Sequence, residues 1–255
     1  MIKKEHVCIP WLWPVCAITM AQSDPFCAMG EHLIQNQAQL SSRILKFAEV
    51  AHKLDYKLKP VWATPNKIAL ELKTMGLRDF SEGSTEGLPV IIDAPYAGHS
   101  ATIADYSTSQ SLVQTLKTSG LERIYVTDWK SATDDMKDFT IDTYLEDLNT
   151  VIDSLGGKVH LIGLCQGGWM SAVYAARFPG KVATLVLAGS PIDTSVGEGM
   201  VKDLATTLPM NTYRELVAAG DGRLLGKFML SGWKSMHPTD QYIKKYADLF
   251  MNIDD

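Results

Sequence analysis

The sequence predicts a doubly wound α/β fold with a parallel sheet, and three observations carry that prediction. Short apolar runs, Val90-Ile91-Ile92, residues 123–127, Val159–Leu164 and residues 182–187, recur at intervals long enough to hold a helix between them. Runs of this length, rich in branched apolar residues, are how the buried strands of a parallel sheet read. Between two of them, Ile141, Tyr144, Leu145, Leu148, Ile152 and Leu155 keep helical spacing until Gly156-Gly157 ends the pattern. Finally, 255 residues at 46% hydrophobic and 21% charged suffice for one sizeable domain with an appended lobe.

Taken in order, residues 1–87 read as an N-terminal helical extension with a small strand region. Leu33, Ile34, Leu40, Ile44, Leu45, Ala48, Ala51 and Leu54 predict a helix over 30–54. Pro60 and Pro65 punctuate an irregular connector, Ile68-Ala69-Leu70-Glu71-Leu72 reads as a strand, and the polar, Gly-rich stretch 81–87 reads as a lobe boundary. The core is expected over 88–195. It comprises a strand at 90–92, a loop over 93–100, a helix over 103–119 closed by Gly120, and a strand at 123–127. A helix over 140–155, the strand Val159–Leu164, a helix over 169–178 and a strand at 182–187 follow. Residues 196–255 are expected to be a helical cap or lid without a buried strand.

The strand Val159–Leu164 runs into Gly163-Leu164-Cys165-Gln166-Gly167-Gly168 and then into the helix. Strand, Gly-x-Cys-x-Gly and helix together form the context of the nucleophile elbow of α/β-hydrolases, with Cys where Ser usually stands. The chemistry needs each part. The glycines let neighbouring backbone crowd against a sharply turned residue, and a helix N-terminus favours a thiolate. The plain alternative is a buried Cys in an ordinary strand–loop–helix connection. Cys165 is the expected nucleophile. Its oxyanion hole would use the backbone N–H of Gln166 and one from the loop Tyr96-Ala97-Gly98-His99, with Ala97 the first choice and Tyr96 or Gly98 close behind. Tyr96, Gly98, His99 and Trp169 are the candidate pocket residues.

A cysteine nucleophile needs a base and the base an orienting acid, which in this fold follow the nucleophile on later strands. No pair of strand–helix units bearing them is found after Cys165, so the last strands of the fold are expected to be missing. His160 lies inside a strand, His99 in the expected site loop, His237 in the cap, and His6, His32 and His52 in the N-terminal region; none holds the required position. Asp193 is a candidate orienting acid or, more simply, a loop cap.

The formal net charge of −5, without a run of Lys or Arg, argues against a nucleic-acid partner. Cys8, Cys16, Cys27 and Cys165 show neither metal-ligand spacing nor a disulfide framework. No cofactor motif is visible, and no stretch is apolar and long enough to span a membrane. Lys3 and Lys4 ahead of the apolar stretch 7–21 have the outline of a secretory leader. Glu5, Pro10, Pro14 and the lack of an Ala-x-Ala site speak against it.

These stretches together resemble the polyhydroxyalkanoate enzymes, a family of cysteine-nucleophile synthases and intracellular poly(3-hydroxybutyrate) depolymerases. Gly163-Leu164-Cys165-Gln166-Gly167-Gly168 looks like the synthase form of the elbow. Ala94-Pro95-Tyr96-Ala97-Gly98-His99-Ser100-Ala101-Thr102, Tyr125-Val126-Thr127-Asp128-Trp129 and Gly189-Ser190-Pro191-Ile192-Asp193-Thr194 look more like the depolymerase form. The resemblance covers about residues 88–240. It implies an α/β-hydrolase fold, a covalent acyl-enzyme on Cys165, and a polyhydroxyalkanoate polymer or 3-hydroxyacyl thioester as substrate. It also implies a cytoplasmic enzyme at polymer granules. The depolymerase activity is the first expectation and the synthase, using the coenzyme A thioester, the second. Because the family's catalytic Asp and His have no counterpart here, the chain looks like a C-terminally truncated member. That leaves a non-catalytic polymer- or partner-binding remnant as a further reading, and an exposed sheet edge that would favour pairing with another chain, a second copy included.

Overall fold

A computed structural model describes residues 25–56, 60–83, 86–96 and 100–254. Helix α1 (Pro25–Tyr56) is followed by strands β1 (Lys67–Glu71), β2 (Met75–Asp79) and β3 (Val90–Asp93). A 3-10 turn at Ala101–Ala104, a small ribbon of β4 (Asp105–Ser107) and β5 (Gln110–Ser111), and helix α2 (Leu112–Thr118) lead to β6 (Ile124–Trp129). Next come α3 (Ile141–Ser154), β7 (Val159–Leu164), α4 (Gln166–Arg177) and β8 (Val182–Ala188). Helices α5 (Met200–Thr207), α6 (Met210–Ala219) and α7 (Gly226–Met236), a π-helical turn at Thr239–Lys244, and α8 (Lys245–Met251) follow. The apolar stretch at 7–21, with Cys8, Cys16 and His6, lies outside the described residues, as do Ala97, Gly98 and His99.

The six strands of the main sheet run in the order β1-β2-β6-β3-β7-β8. β6, β3, β7 and β8 are parallel, while β1 and β2 add an antiparallel hairpin beside β6. The alternation of side chains along β3 explains why both faces need helices. Ile91 joins Leu145, Leu148 and Ile152 of α3 and Met170 and Tyr174 of α4 on one face. Its neighbour Ile92 joins Val113 of α2, Ala101, Ala104 and Phe80 on the other. Each fully buried Val, Leu, Ile, Met or Phe among them contributes about 1.5–3 kcal/mol. β8 ends the sheet, and its Leu185, Val186 and Leu187 are exposed.

Three expectations need correction. Residues 60–87 do not group with the N-terminal helix: β1 and the unexpected strand β2 are part of the core sheet, and the contacts divide the chain at Leu58/Lys59. The expected helix over 103–119 is cut to residues 112–118. Its first half is diverted because the buried carboxylate of Asp105 accepts hydrogen bonds from the Thr64 backbone N–H (2.7 Å), the Thr64 hydroxyl (2.8 Å) and the Ser111 hydroxyl (2.7 Å). Asp93, expected in a loop, is the last residue of β3 and is buried.

The chain forms two compact units, residues 59–242 and a smaller one of 1–58 with 243–255. The expected cap is thus shared: α5–α7 belong to the larger unit and α8 to the smaller. Within the smaller unit the ring of Phe47 on α1 meets Tyr246 and Phe250 edge-on, at 6.4 and 5.6 Å. Leu40, Ile44 and Leu45 of α1 are exposed. No helix among the described residues is long and apolar enough to cross a membrane.

Candidate active site

β7 and α4 are joined by a single residue, Cys165, whose backbone sits at φ 49°, ψ −116°. A non-glycine residue in this region carries strain that the surrounding contacts must offset. They do so from both sides. The Cys165 N–H donates to the Ala188 carbonyl of β8 (2.9 Å), and the Cys165 carbonyl accepts from Gly168 N–H (3.0 Å). Behind the turn, Gly163 and Gly168 let β7 and α4 touch backbone to backbone, and Ser190, just past β8, fills the notch beside Gly168. The outcome is an exposed thiol at the carboxyl edge of the sheet. Its side chain makes no capping hydrogen bond to the helix behind it. Gln166 is the first residue of α4.

β3 is the parallel neighbour of β7, so the segment leaving β3 emerges at the same edge. Tyr96 on that segment packs against Trp169 of α4 at 6.2 Å between ring centres. Trp129 of β6 and Tyr144 of α3 complete the aromatic cluster, at 6.3 and 5.8 Å from Tyr96. Burial, reinforced by Tyr144 and Asp93, holds the Tyr96 phenol above its ordinary value. Cys165, Gln166, Trp169 and Tyr96 are therefore gathered at one edge.

Beneath them is a group that the sequence pattern did not single out. Asp93 is fully buried, and its carboxylate accepts from Ser171 Oγ (2.9 Å), Thr127 Oγ1 (3.1 Å) and Trp129 Nε1 (3.2 Å). Burial pushes its carboxyl up to about 7, against the pull of these three donors. The only sequence signal was its place directly after Ile91-Ile92.

The histidines fall elsewhere. His160 is five residues before Cys165 on β7, about 16 Å along an extended strand, and its Nδ1 is 2.7 Å from Thr184 Oγ1. His237 follows the end of α7, and His52 belongs to the smaller unit. Asp193 is exposed and accepts from the backbone N–H (2.8 Å) and hydroxyl of Ser195, which lower its carboxyl below the usual range. That is a loop cap. A cavity of about 430 Å³ between residues 64–67, 79–82 and 114–117 contains none of the elbow residues. Among the described residues no group of three or more His, Cys, Asp or Glu could hold a metal ion.

A mostly parallel sheet with helices on both faces, and a positive-φ residue between strand and helix, define the class, and the family comparison agrees. The family model for the alpha/beta hydrolase fold matches residues 90–253, and the chain belongs to that family. Among curated proteins, it is similar to the poly(3-hydroxyalkanoate) polymerase subunit PhaC of Haloferax mediterranei, 27% identical over 76% of this chain and 40% of that protein. It is also similar to the PhaC subunit of Allochromatium vinosum, 27% identical over 69% of this chain and 50% of that one. The chain thus spans about half the length of these relatives or less. Among solved structures, a thioesterase domain from the curacin biosynthetic pathway aligns with a TM-score of 0.41 and 23% identity, over 56% of this chain and 50% of that one.

Proposed function

We propose that the chain carries the acyl-transfer site of a polyhydroxyalkanoate enzyme, with Cys165 as nucleophile. The carrying observation is the strained, exposed thiol between β7 and α4. The thiolate attacks the carbonyl carbon of a 3-hydroxyacyl thioester. A new C–S bond forms, the coenzyme A thiolate leaves, and the acyl group stays on Cys165. The N-terminus of α4 favours both the attacking thiolate and the oxyanion, with the N–H of Gln166 as the first donor and Ala97 in the loop as the second. The hydroxyl of a growing polymer then takes the acyl group and frees the thiol. The base and orienting acid are assigned to none of the described residues. Tyr96 and Trp169, with Gly98 and His99 of the loop, would line the pocket for the acyl group.

The polymerase subunits in Haloferax and Allochromatium favour synthesis as the direction. Hydrolysis, the depolymerase reaction, is the second reading, supported by the likeness of residues 94–102, 125–129 and 189–194 to the depolymerase form. A granule surface in the cytoplasm is the place of action that such a substrate entails.

Incubation with the coenzyme A thioester of 3-hydroxybutyrate, followed by intact-mass measurement, should reveal a single acyl adduct that is absent from Cys165→Ala. An adduct that persists in Cys165→Ala overturns the assignment. Growth of oligomer, as against release of free 3-hydroxybutyrate, separates the two directions.

A further inference from the structure

The ends of β3 and β6 and the first turns of α4 converge on one buried carboxyl group that the acyl-transfer steps do not use. Asp93 is 0% exposed and stands in register with Gly163, two residues before Cys165. A carboxyl buried without a cation is expensive, and an apolar side chain of similar size is easier to bury there. Stability alone therefore does not account for it.

Two contacts tie the same residue to the reacting edge. The Asp93 carbonyl lies directly under the first turn of α4: a Cβ on Gly167 would stand 2.1 Å from Asp93 O and 2.8 Å from Ala94 O. The next N–H, that of Ala94, donates to Thr127 Oγ1 (2.9 Å), the hydroxyl that itself donates to Asp93. The peptide that begins the loop is thus pinned to β6 on one side and abuts α4 on the other, while the Asp93 carboxyl bridges the two through Trp129 and Ser171. The groups that face it are Thr127 and Trp129 from β6, Ser171 from α4, and Tyr96 from the loop with Tyr144 of α3 behind it. Among the described residues no cation pairs with it.

Resting on the reading of Cys165 as nucleophile, we propose that Asp93 is a positioning residue for acyl transfer. Its carboxyl ties β6 to α4 and so sets how closely the backbone leaving β3 approaches Cys165 and the N–H of Gln166. Displacing reacting groups by about 1 Å is worth up to about 100-fold in rate, so this tie has a kinetic consequence.

The test compares two substitutions in the full chain. Asp93→Leu keeps bulk and removes all the acceptors. It should fold, lower the rate of acylation about 10- to 100-fold, and leave KM for the thioester within about twofold. Asp93→Asn can still accept from Thr127 and Trp129 and can donate to Ser171, so it should restore the rate to within about threefold. Alkylation of Cys165 by iodoacetamide needs no oxyanion donor and should change less than about twofold in both. Wild-type acylation in Asp93→Leu overturns the proposal, and so does a parallel fall of alkylation and acylation. If Asp93→Leu does not fold, Ser171→Ala cuts only the α4 arm and should slow acylation by about 3- to 10-fold; an unchanged rate overturns the proposal. If the wild-type chain forms no adduct, the nucleophile reading has failed, and backbone NMR decides the tie separately. Movement of the Ala94 and Gly167 amide resonances in Ser171→Ala supports it, and unmoved resonances refute it.

Discussion

Gly163 and Gly168 meet without room for a single added carbon: a Cβ on Gly163 would lie 2.3 Å from Gly168 Cα and 2.9 Å from Gly167 O. The obstacle is backbone, which cannot turn aside. At Gly168 the added Cβ would instead meet Ser190, at 1.6 Å from Oγ, which can rotate away, and 2.5 Å from Cβ, which moves only if the loop after β8 shifts. Gly163→Ala should therefore cost about 3 kcal/mol and Gly168→Ala, where a surface loop can give, about 1–2 kcal/mol. Urea unfolding of the two variants measures the order, and a milder effect at Gly163 would mean that β7 and α4 are less closely seated.

Asp105 makes a second prediction. Its carboxylate serves three donors from two segments, and Gln114 Nε2 donates in turn to Thr64 Oγ1 (2.7 Å). Asp105→Ala would strand the backbone N–H of Thr64 and two hydroxyls in a buried site, at a cost of about 3 kcal/mol. Asp105→Asn retains one acceptor oxygen and should recover about half of that. Thermal melts of both variants would check this, and equal losses would show that the charge, not the acceptor geometry, matters.

The elements that could be read in advance share a physical reason. β3, β6 and β7 are largely apolar because helices cover both faces, β8 keeps the same apolar run although its Leu185, Val186 and Leu187 are exposed, and a strand–turn–helix around Gly-x-Cys-x-Gly has few other uses. β2 was not legible. Met75-Gly76-Leu77-Arg78-Asp79 has no β-branched residue, a glycine inside and two charges, and only its pairing with β1 and β6 makes it a strand. The burial of Met75 and Leu77, both 1% exposed or less, is a property of that pairing rather than of a pattern. Asp93 was hidden for a related reason. An acid at the end of an apolar run reads as the start of a loop, and nothing local reveals that Ser171, 78 residues on, will donate to it. Tertiary contact decides such cases.

In the smaller unit, Arg43 holds the end of α8. Its Nη2 donates to the carbonyl of Phe250 (3.1 Å), its guanidinium lies 5.2 Å from the centre of the Phe250 ring, and it pairs with Asp254. The ion pair is exposed and worth little by itself, so the carbonyl cap and ring contact matter more. Arg43→Ala should lower the protection of the 245–251 amides by about 1–2 kcal/mol. Hydrogen exchange would read this directly; unchanged protection would place the tie in the packing of Phe47 on Tyr246 and Phe250 rather than in Arg43.

The carboxyl of Asp93 makes the stability of this fold depend on pH in a direction opposite to that of most acids. It is held at about 7 in the folded chain, against 3.8 for an unperturbed Asp. Between these values the folded chain keeps a proton that the unfolded chain has released. The stabilising contribution is therefore complete below about pH 4, declines as pH rises towards 7, and reaches a constant lower level above it. At about 1.4 kcal/mol per pH unit the decline over this interval amounts to roughly 4–5 kcal/mol. Other acids titrate over part of this range, so the measurement is a difference: unfolding free energy of the wild-type chain minus that of Asp93→Asn, from about pH 4 to about pH 9. The difference should fall steadily and then level off beyond about pH 7.5. A flat difference across the range would mean that Ser171, Thr127 and Trp129 stabilise the carboxylate enough to cancel its burial. Asp93 would then bridge β6 and α4 as a permanent charge.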